Sequence, residues 1–259
     1  KPVVRLMKLN IIDKIPEVPR AKHLLLSIPW FSPRITASWP DFFTSAEHIG
    51  FNGLGYIDKL SPRHKNFVEN IRKKGFKLLG VPHVNFATIA GKEVNTIKCD
   101  NNATVKAHNA VCPAYRGKYY KQFCDIVEAQ LKTLRVDYVH LDFELWFHPN
   151  AFRTCKRCDT LRKSQNMDWP QYAEWSMADF YKEIIAAARR ACPEAIVGSY
   201  MFCADRKQSV AEKEISMFGV RHLYPNMLDE LHTPYYGPDP AQVNRRVRAN
   251  LLYTRDPKK

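Results

Sequence analysis

Val136-Asp137-Tyr138-Val139-His140-Leu141-Asp142-Phe143-Glu144-Leu145-Trp146 is the stretch whose reading decides the fold. Val139, Leu141, Phe143 and Leu145 alternate with His140, Asp142, Glu144 and Trp146, the period-two pattern of a strand with two unlike faces. One face is apolar. The other carries an imidazole, two carboxylates and an indole, groups that are costly to enclose without partners. An antiparallel strand with one solvated face would also alternate, but such a face seldom carries Trp146 and His140 beside two acids. With one face against helices and the other inside a barrel, both carboxylates fall near the strand's C-terminal end. That end is where such barrels do their chemistry.

Long amphipathic segments flank this strand. Residues 118–135 carry Tyr119, Phe123, Ile126, Val127, Leu131 and Leu134 along one stripe and run almost directly into it. Residues 169–191 form a second such helix, reached through a Pro-, Asn- and Cys-rich loop that ends at Asp168. Upstream, the apolar runs 23–30, 53–57 and 76–84 read as strands. A helix opens at Ser38-Trp39-Pro40-Asp41, with Ser38 as its cap, and stops at Gly50; another spans 62–74 and stops at Gly75. Downstream, 195–202 and 220–227 read as strands, and 210–218 and 240–253 as helices. Between Asn85 and Gly117 no strong period appears; an excursion of about thirty residues in a compact domain is more often functional or covering than idle.

Strand and helix thus alternate six times, which implies parallel strands joined by right-handed crossovers. No Gly-x-Gly-x-x-Gly follows any of these strands, so a doubly wound nucleotide-binding sheet fits less well. The expected fold is α/β, a (β/α)8 TIM-type barrel, with residues 1–20 as an entry segment and 21–259 as a single barrel domain. Because six units are counted where eight are usual, either the N-terminal segment supplies a strand or the barrel is incomplete, with atypical final strands.

The 259 residues are 45% hydrophobic and 25% charged, a globular composition able to bury one large core. No run reaches the roughly 18 apolar residues of a membrane-spanning helix, and no membrane partner is expected. The chain starts at Lys1 with no Met and no signal-like segment, and reads as a processed or trimmed form. Its net charge of +14 gathers in 63–77, 118–121, 153–163 and 245–255. Nucleic acid is the reflex partner for such a charge. No two-Cys, two-His finger, aromatic RNA-binding signature or basic low-complexity tail accompanies it, so nucleic acid is set aside. The charge reads as a solvated basic exterior or as attraction to an anionic glycan.

Seven cysteines, Cys99, Cys112, Cys124, Cys155, Cys158, Cys192 and Cys203, are too sparse for a disulfide-built miniprotein. Cys124 and Cys192 fall on apolar helix faces and read as buried thiols. Cys155-Lys156-Arg157-Cys158 has the spacing of half a zinc site, and no second Cys-x-x-Cys or His pair completes it. Cys99 or Cys112 could complete it in space, or pair as disulfides; no metal site and no cofactor are assigned. Asn102-Ala103-Thr104 is a glycosylation sequon, and leans the reading towards a secreted protein.

The residues closing the expected strands share a chemistry. They are Trp30; Tyr56 and Asp58; His83 and Asn85; Asp142, Glu144 and Trp146; Tyr200 and Asp205; and Tyr224, Asn226 and Asp229. Aromatic faces stack on the C–H surfaces of a sugar while amides and carboxylates bond its hydroxyls. Trp30, His83, His140, Trp146, Tyr200, Tyr224, Asn226 and Asp229 are therefore the candidate substrate-binding residues. Glycoside cleavage needs one carboxyl to protonate the leaving oxygen and a second group to attack or stabilise the oxocarbenium-like centre. Asp142 and Glu144, at i and i+2, point the same way roughly 6–7 Å apart along a strand, and like charges so close raise one pKa, which suits an acid.

Asp137-x-x-His140-x-Asp142-x-Glu144 resembles the fourth strand of the chitinase-like family 18 glycoside hydrolases, Asp-x-x-Asp-x-Asp-x-Glu. The resemblance implies that Glu144 is the proton donor and Asp142 its assistant, which steadies an N-acetyl group. His140 stands where that family has Asp, Tyr138 where it has Gly, and Leu78-Leu79-Gly80-Val81 where it has Ser-Gly-Gly. The same stretch is similar to the α-galactosidase-type barrels, in which a strand-four Tyr-x-x-x-Asp presents the Asp as nucleophile; this implies that Asp142 attacks and that an acid on strand six, such as Asp229, gives the proton. Cys112-Pro113-Ala114-Tyr115-Arg116-Gly117, the helix after it, the Asp-x-Glu strand and Cys155-x-x-Cys158 together are similar to glycosidase-like barrels, over about residues 21–227. The leading expectation is a glycoside hydrolase acting on a polysaccharide or glycoconjugate. The alternatives are a carbohydrate-binding barrel without turnover and a metal-dependent hydrolase using His83, His140 and Asp142.

Overall fold

The computed structural model describes residues 27–28, 41–57, 62–100, 111–143, 149–200 and 227–232. Six strands run through them: β1 (Ser27–Ile28), β2 (Gly53–Ile57), β3 (Lys77–Gly80), β4 (Tyr138–Leu141), β5 (Ile196–Tyr200) and β6 (Glu230–His232). They form one sheet in the order β1-β2-β3-β4-β5-β6, and every neighbouring pair is parallel. Order in space therefore follows order in sequence. A doubly wound sheet reverses at a switch point; the described strands do not, and wind in one direction as a barrel wall does. They account for six of the eight strands expected.

Strand β4 is buried on both sides. Val139 and Leu141 are fully enclosed and Phe143 nearly so, while Tyr138 and His140, on the other face, are buried as well. The apolar face meets two helices. The first is α4 (Lys118–Leu134), whose buried stripe includes Tyr119, Tyr120, Phe123, Val127 and Leu131. The second is α7 (Trp169–Ala191), opened by a capping box: Asp168 accepts from the Gln171 amide at 2.8 Å while Gln171 accepts from the Asp168 amide at 2.9 Å. Phe123 on α4 stacks on Phe86 at 4.0 Å and meets Phe143 edge-on at 4.9 Å, and Tyr120 meets Phe180 of α7 at 4.9 Å. This aromatic seam joins the helix layer to β4.

Upstream, α1 (Phe42–His48) begins after Asp41, which makes no side-chain cap; Ser38, the expected cap, lies outside the described residues. The helix α2 (Pro62–Lys73) gives way at Gly75, whose φ of 71° needs the freedom of glycine. Arg72 of α2 donates to the Leu134 and Arg135 carbonyls at 2.7 and 2.9 Å. It so satisfies orphan acceptors where α4 ends on a left-handed Arg135.

The excursion after β3 corrects the sequence reading. Residues 86–97 are helical rather than irregular: Asn85 accepts from Ala87 and Thr88 and starts α3 (Phe86–Ala90), and a 3-10 helix (Gly91–Ile97) follows. Five residues are too few to display a helical period. The loop expected before Asp168 likewise contains α5 (Pro149–Thr154) and α6 (Lys156–Ser164). The sixth strand also differs. It pairs at Glu230–His232, whereas 220–226 of the expected strand lie outside the described residues and Met227 stands in the turn before β6.

Two aspartates set the register of neighbouring strands in the same way. The Asp137 amide donates to the Leu78 carbonyl at 3.0 Å while its Oδ2 accepts from the Leu78 amide at 2.9 Å. The Asp229 amide donates to the Val197 carbonyl at 2.9 Å while its Oδ2 accepts from the Val197 amide at 2.8 Å. Each carboxylate thus completes a ladder at the N-terminal edge of its strand, before side-by-side pairing begins.

The approach of β3 to β4 is close. A Cβ on Gly80 would lie 2.5 Å from Cγ1 of the buried Val136. Gly80→Ala should therefore cost about 1–3 kcal/mol in urea unfolding. Adding Val136→Ala should make the pair less damaging than the sum of the two single changes. Strict additivity would show that the contact does not limit the packing.

Candidate functional site

The C-terminal edge of β4 is where sequence and fold converge. Asp142 follows Leu141 directly and is half-buried. On the strand before it, the His140 ring is 5% exposed and lies parallel to Tyr138, with centroids 6.3 Å apart. His140 pairs in register with Gly198 of β5, and a glycine opposite leaves space on that face for the imidazole. Ser199, in register with Leu141, is fully buried and donates to the Leu141 carbonyl at 3.1 Å. Tyr181 of α7 reaches the same corner. Burial pushes its hydroxyl pKa up, the nearby Asp142 charge adds to the rise, and a hydrogen bond with Ser199 opposes it. Tyr181 and Ser199 are thus a buried polar pair within electrostatic reach of Asp142, and no sequence pattern distinguishes either from core: Tyr181 sits on the apolar stripe of its helix.

The other sequence-derived residues fare differently. Glu144 and Trp146 lie outside the described residues, as do Trp30, Tyr224 and Asn226. Tyr200 ends β5, in register with His232. His83 is exposed, and its backbone N–H and carbonyl are held by the Gln130 side chain of α4 at 3.0 and 3.2 Å, which ties this turn to the helix layer. Asp229 is a correction. Because β6 begins after it rather than before it, Asp229 stands at the opposite end of the sheet from Asp142. Its carboxylate is occupied by the Val197 amide and by Arg189 at 3.1 Å. Asp137, part of the resemblance to family 18, has the same placement, with Lys77 at 3.1 Å.

A second constellation lies in the connections that leave β3 and β4. Cys99 and Cys112 bracket the residues after the 3-10 helix, and the Cys112 amide donates to the Ile97 carbonyl at 2.8 Å. Cys155 caps α6, with Cys158 one turn on. The four sulfurs all lie within 4.8 Å of one another, and all four residues are buried. Cys112–Cys158 is 3.5 Å, Cys112–Cys155 3.8 Å and Cys99–Cys158 3.9 Å. All six described cysteines are free thiols. Hydrogen bonds from Cys112, Cys158 and Cys99 hold the Cys155 thiol far below its ordinary value, while those from Cys112, Cys155 and Cys158 push Cys99 up. The half-site legible in the sequence therefore finds its other half in Cys99 and Cys112. Among the described residues these are the metal-ligating side chains that converge; His83, His140 and Asp142 form no such group.

Much of the described basic charge has structural work. Arg116 pairs with Asp179 over the Tyr120 and Phe180 rings, Arg162 pairs with Asp159 over Trp169, and Arg190 bridges Glu128 and Glu183. Among the described residues no helix is long and apolar enough to cross a membrane.

No family model matches this sequence, and no curated protein matches it. Solved structures do. A β-galactosidase from Bacillus circulans sp. alkalophilus superposes with a TM-score of 0.56 at 11% identity, over 93% of this chain and 43% of its own. A β-galactosidase from the psychrophilic Marinomonas ef1 gives 0.56 at 9%, over 82% and 41%. The chitobiase of Flavobacterium johnsoniae gives 0.50 at 11%, over 86% and 34%. The neighbours are glycoside hydrolases of the TIM-barrel fold, and at such identities the likeness is one of fold. The chain spans less than half the length of these structures.

Asp229→Ala should lower stability by about 1–2 kcal/mol, because the Val197 amide loses its acceptor and Arg189 keeps only the Met227 carbonyl. Any carbohydrate turnover per folded molecule should stay unchanged. Thermal melts beside activity normalised to folded protein check this; a loss of turnover without a loss of stability would return Asp229 to the active site.

Proposed function

We propose that this chain is a glycoside hydrolase of the barrel type, with Glu144 as the proton donor and Asp142 as the assisting or nucleophilic carboxylate. The observation that carries the reading is Asp142, half-buried one residue beyond the C-terminal end of β4, in a parallel sheet wound like those of barrel glycosidases. In such barrels the loops after the strands hold the substrate. Asp142 shares its corner with buried Tyr181 and Ser199, and a low-dielectric setting of that kind strengthens a carboxylate's action on a developing positive centre. Glu144, two residues on in sequence, would protonate the glycosidic oxygen as the bond to the leaving sugar breaks. Asp142 would then attack the anomeric carbon or hold the substrate group that does so. His140, beneath Asp142 on the strand, would position it. Trp30, His83, Trp146, Tyr200, Tyr224 and Asn226 complete the proposed sugar-binding set, with a polysaccharide or glycoconjugate as substrate and an anionic glycan as one form suited to the charge of +14.

A panel of aryl β-galactosides, aryl N-acetylglucosaminides and oligosaccharides, assayed with purified protein, tests the proposal. Glu144→Gln should lower kcat by about 10²-fold or more on substrates with poor leaving groups, with an unchanged circular dichroism spectrum. Asp142→Asn should do so for every substrate. Turnover like that of the unmodified protein in both variants would end the assignment. Binding on a glycan array without any product would instead favour a carbohydrate-binding barrel, the reading that His140 in place of the family 18 Asp supports.

A further inference from the structure

We propose that Cys99, Cys112, Cys155 and Cys158 form a structural site for one zinc ion, which clamps the connection after β3 to the connection after β4. The geometry is that of a single tetrahedral centre. Four thiolates at ~2.3 Å from one zinc place their sulfurs ~3.8 Å apart. The measured separations of 3.5, 3.8 and 3.9 Å fall on that edge length, and every pair lies within 4.8 Å. Disulfides require sulfurs at ~2.05 Å, and an iron–sulfur cluster, with its own sulfides between the metals, spreads its cysteines more widely.

The surroundings point to thiolates rather than thiols. Tyr172 Oη and Arg157 Nε are buried, and neither has a hydrogen-bond partner among the nitrogen and oxygen atoms of the described residues. Both border the sulfurs: Tyr172 faces Cys158, and Arg157 faces Cys155 and Cys112. A buried donor without an acceptor is destabilising, and a metal-bound thiolate is the acceptor each of them lacks. The Arg157 guanidinium also offsets part of the net negative charge of a zinc tetrathiolate. The rest of its fork donates to the Thr96 carbonyl at 2.8 Å and to the Lys98 carbonyl, and stands over the Tyr115 ring at 5.6 Å. One side chain therefore braces both halves of the site. Binding releases the thiol protons to solvent and involves no change of oxidation state.

A closed set of four protein sulfurs leaves no position for water or substrate, so the ion is structural. It ties Cys99 to Cys158, 59 residues apart, and Cys112 to Cys155, 43 apart. The two connections so joined leave the same edge of the sheet on which Asp142 stands.

The full chain, purified under reducing conditions and dialysed free of loose metal, should carry about one zinc per molecule by mass spectrometry. Replacement with Co²⁺ should give the visible bands of a tetrahedral tetrathiolate. Cys99→Ser and Cys158→Ser should each lose the metal, whereas Cys124→Ser and Cys192→Ser should retain it. Should the ligand variants fail to fold, alkylation of the unmodified protein decides the matter. With the zinc in place, peptides containing the four cysteines should resist labelling, and removing it with a strong chelator should expose them. Folded protein free of stoichiometric zinc, whether with four free thiols, two disulfides or bound iron, would overturn the proposal, as would full zinc content in Cys158→Ser. Metal content is read without any glycosidase assay, so the outcome does not depend on the proposed function.

Discussion

Everything described here turns on β4 being enclosed on both faces. Val139, Leu141 and Phe143 pack towards Phe123 and the α4–α7 layer, while Tyr138 and His140 fill the opposite side of the strand. A slip of one residue would turn Leu141 inward and His140 into the aromatic seam, so the register is tightly specified. The Asp137 carboxylate fixes that register from below by replacing a strand partner for Leu78. Asp142 then has to emerge at the far end.

The two ends of the sheet do different work. At the N-terminal edge, Asp137 and Asp229 complete ladders and pair with Lys77 and Arg189, so charge is spent on pinning neighbouring strands. At the C-terminal edge lie Asp142, the corner it shares with Tyr181 and Ser199, and the long connections after β3 and β4. This division matches the general separation of stability from chemistry in barrels. An acidic residue near a strand is therefore not by itself a catalytic candidate: Asp137 and Asp229, on the N-terminal side of their strands, are engaged in pinning neighbours.

The described parts of the connections after β3 and β4 are held by named contacts. Asn85 caps α3, Ile97 and Cys112 are fully buried, and the four cysteines meet where the two connections touch. Arg157 and Asp100 brace the same junction, Asp100 accepting from the Lys156 amide at 2.9 Å at the start of α6.

Local pattern alone determined a good deal. The stripe of α4, the full span of α7, the glycine stop after α2 and the two-faced β4 could all be read from residue order, because each depends on neighbours within about a turn or a strand. Cys155 and Cys158 announced half of a ligand set for the same reason. The rest needed the tertiary structure. Helices as short as α3 and α5 carry too few residues to show a period, and the placement of β6 follows from Asp229 bonding Val197, 32 residues away. Cys99 and Cys112 join Cys155 and Cys158 only because parallel neighbours β3 and β4 send their connections to one edge of the sheet. Sequence fixes what a residue can do; the folding of distant segments together decides what stands within its reach.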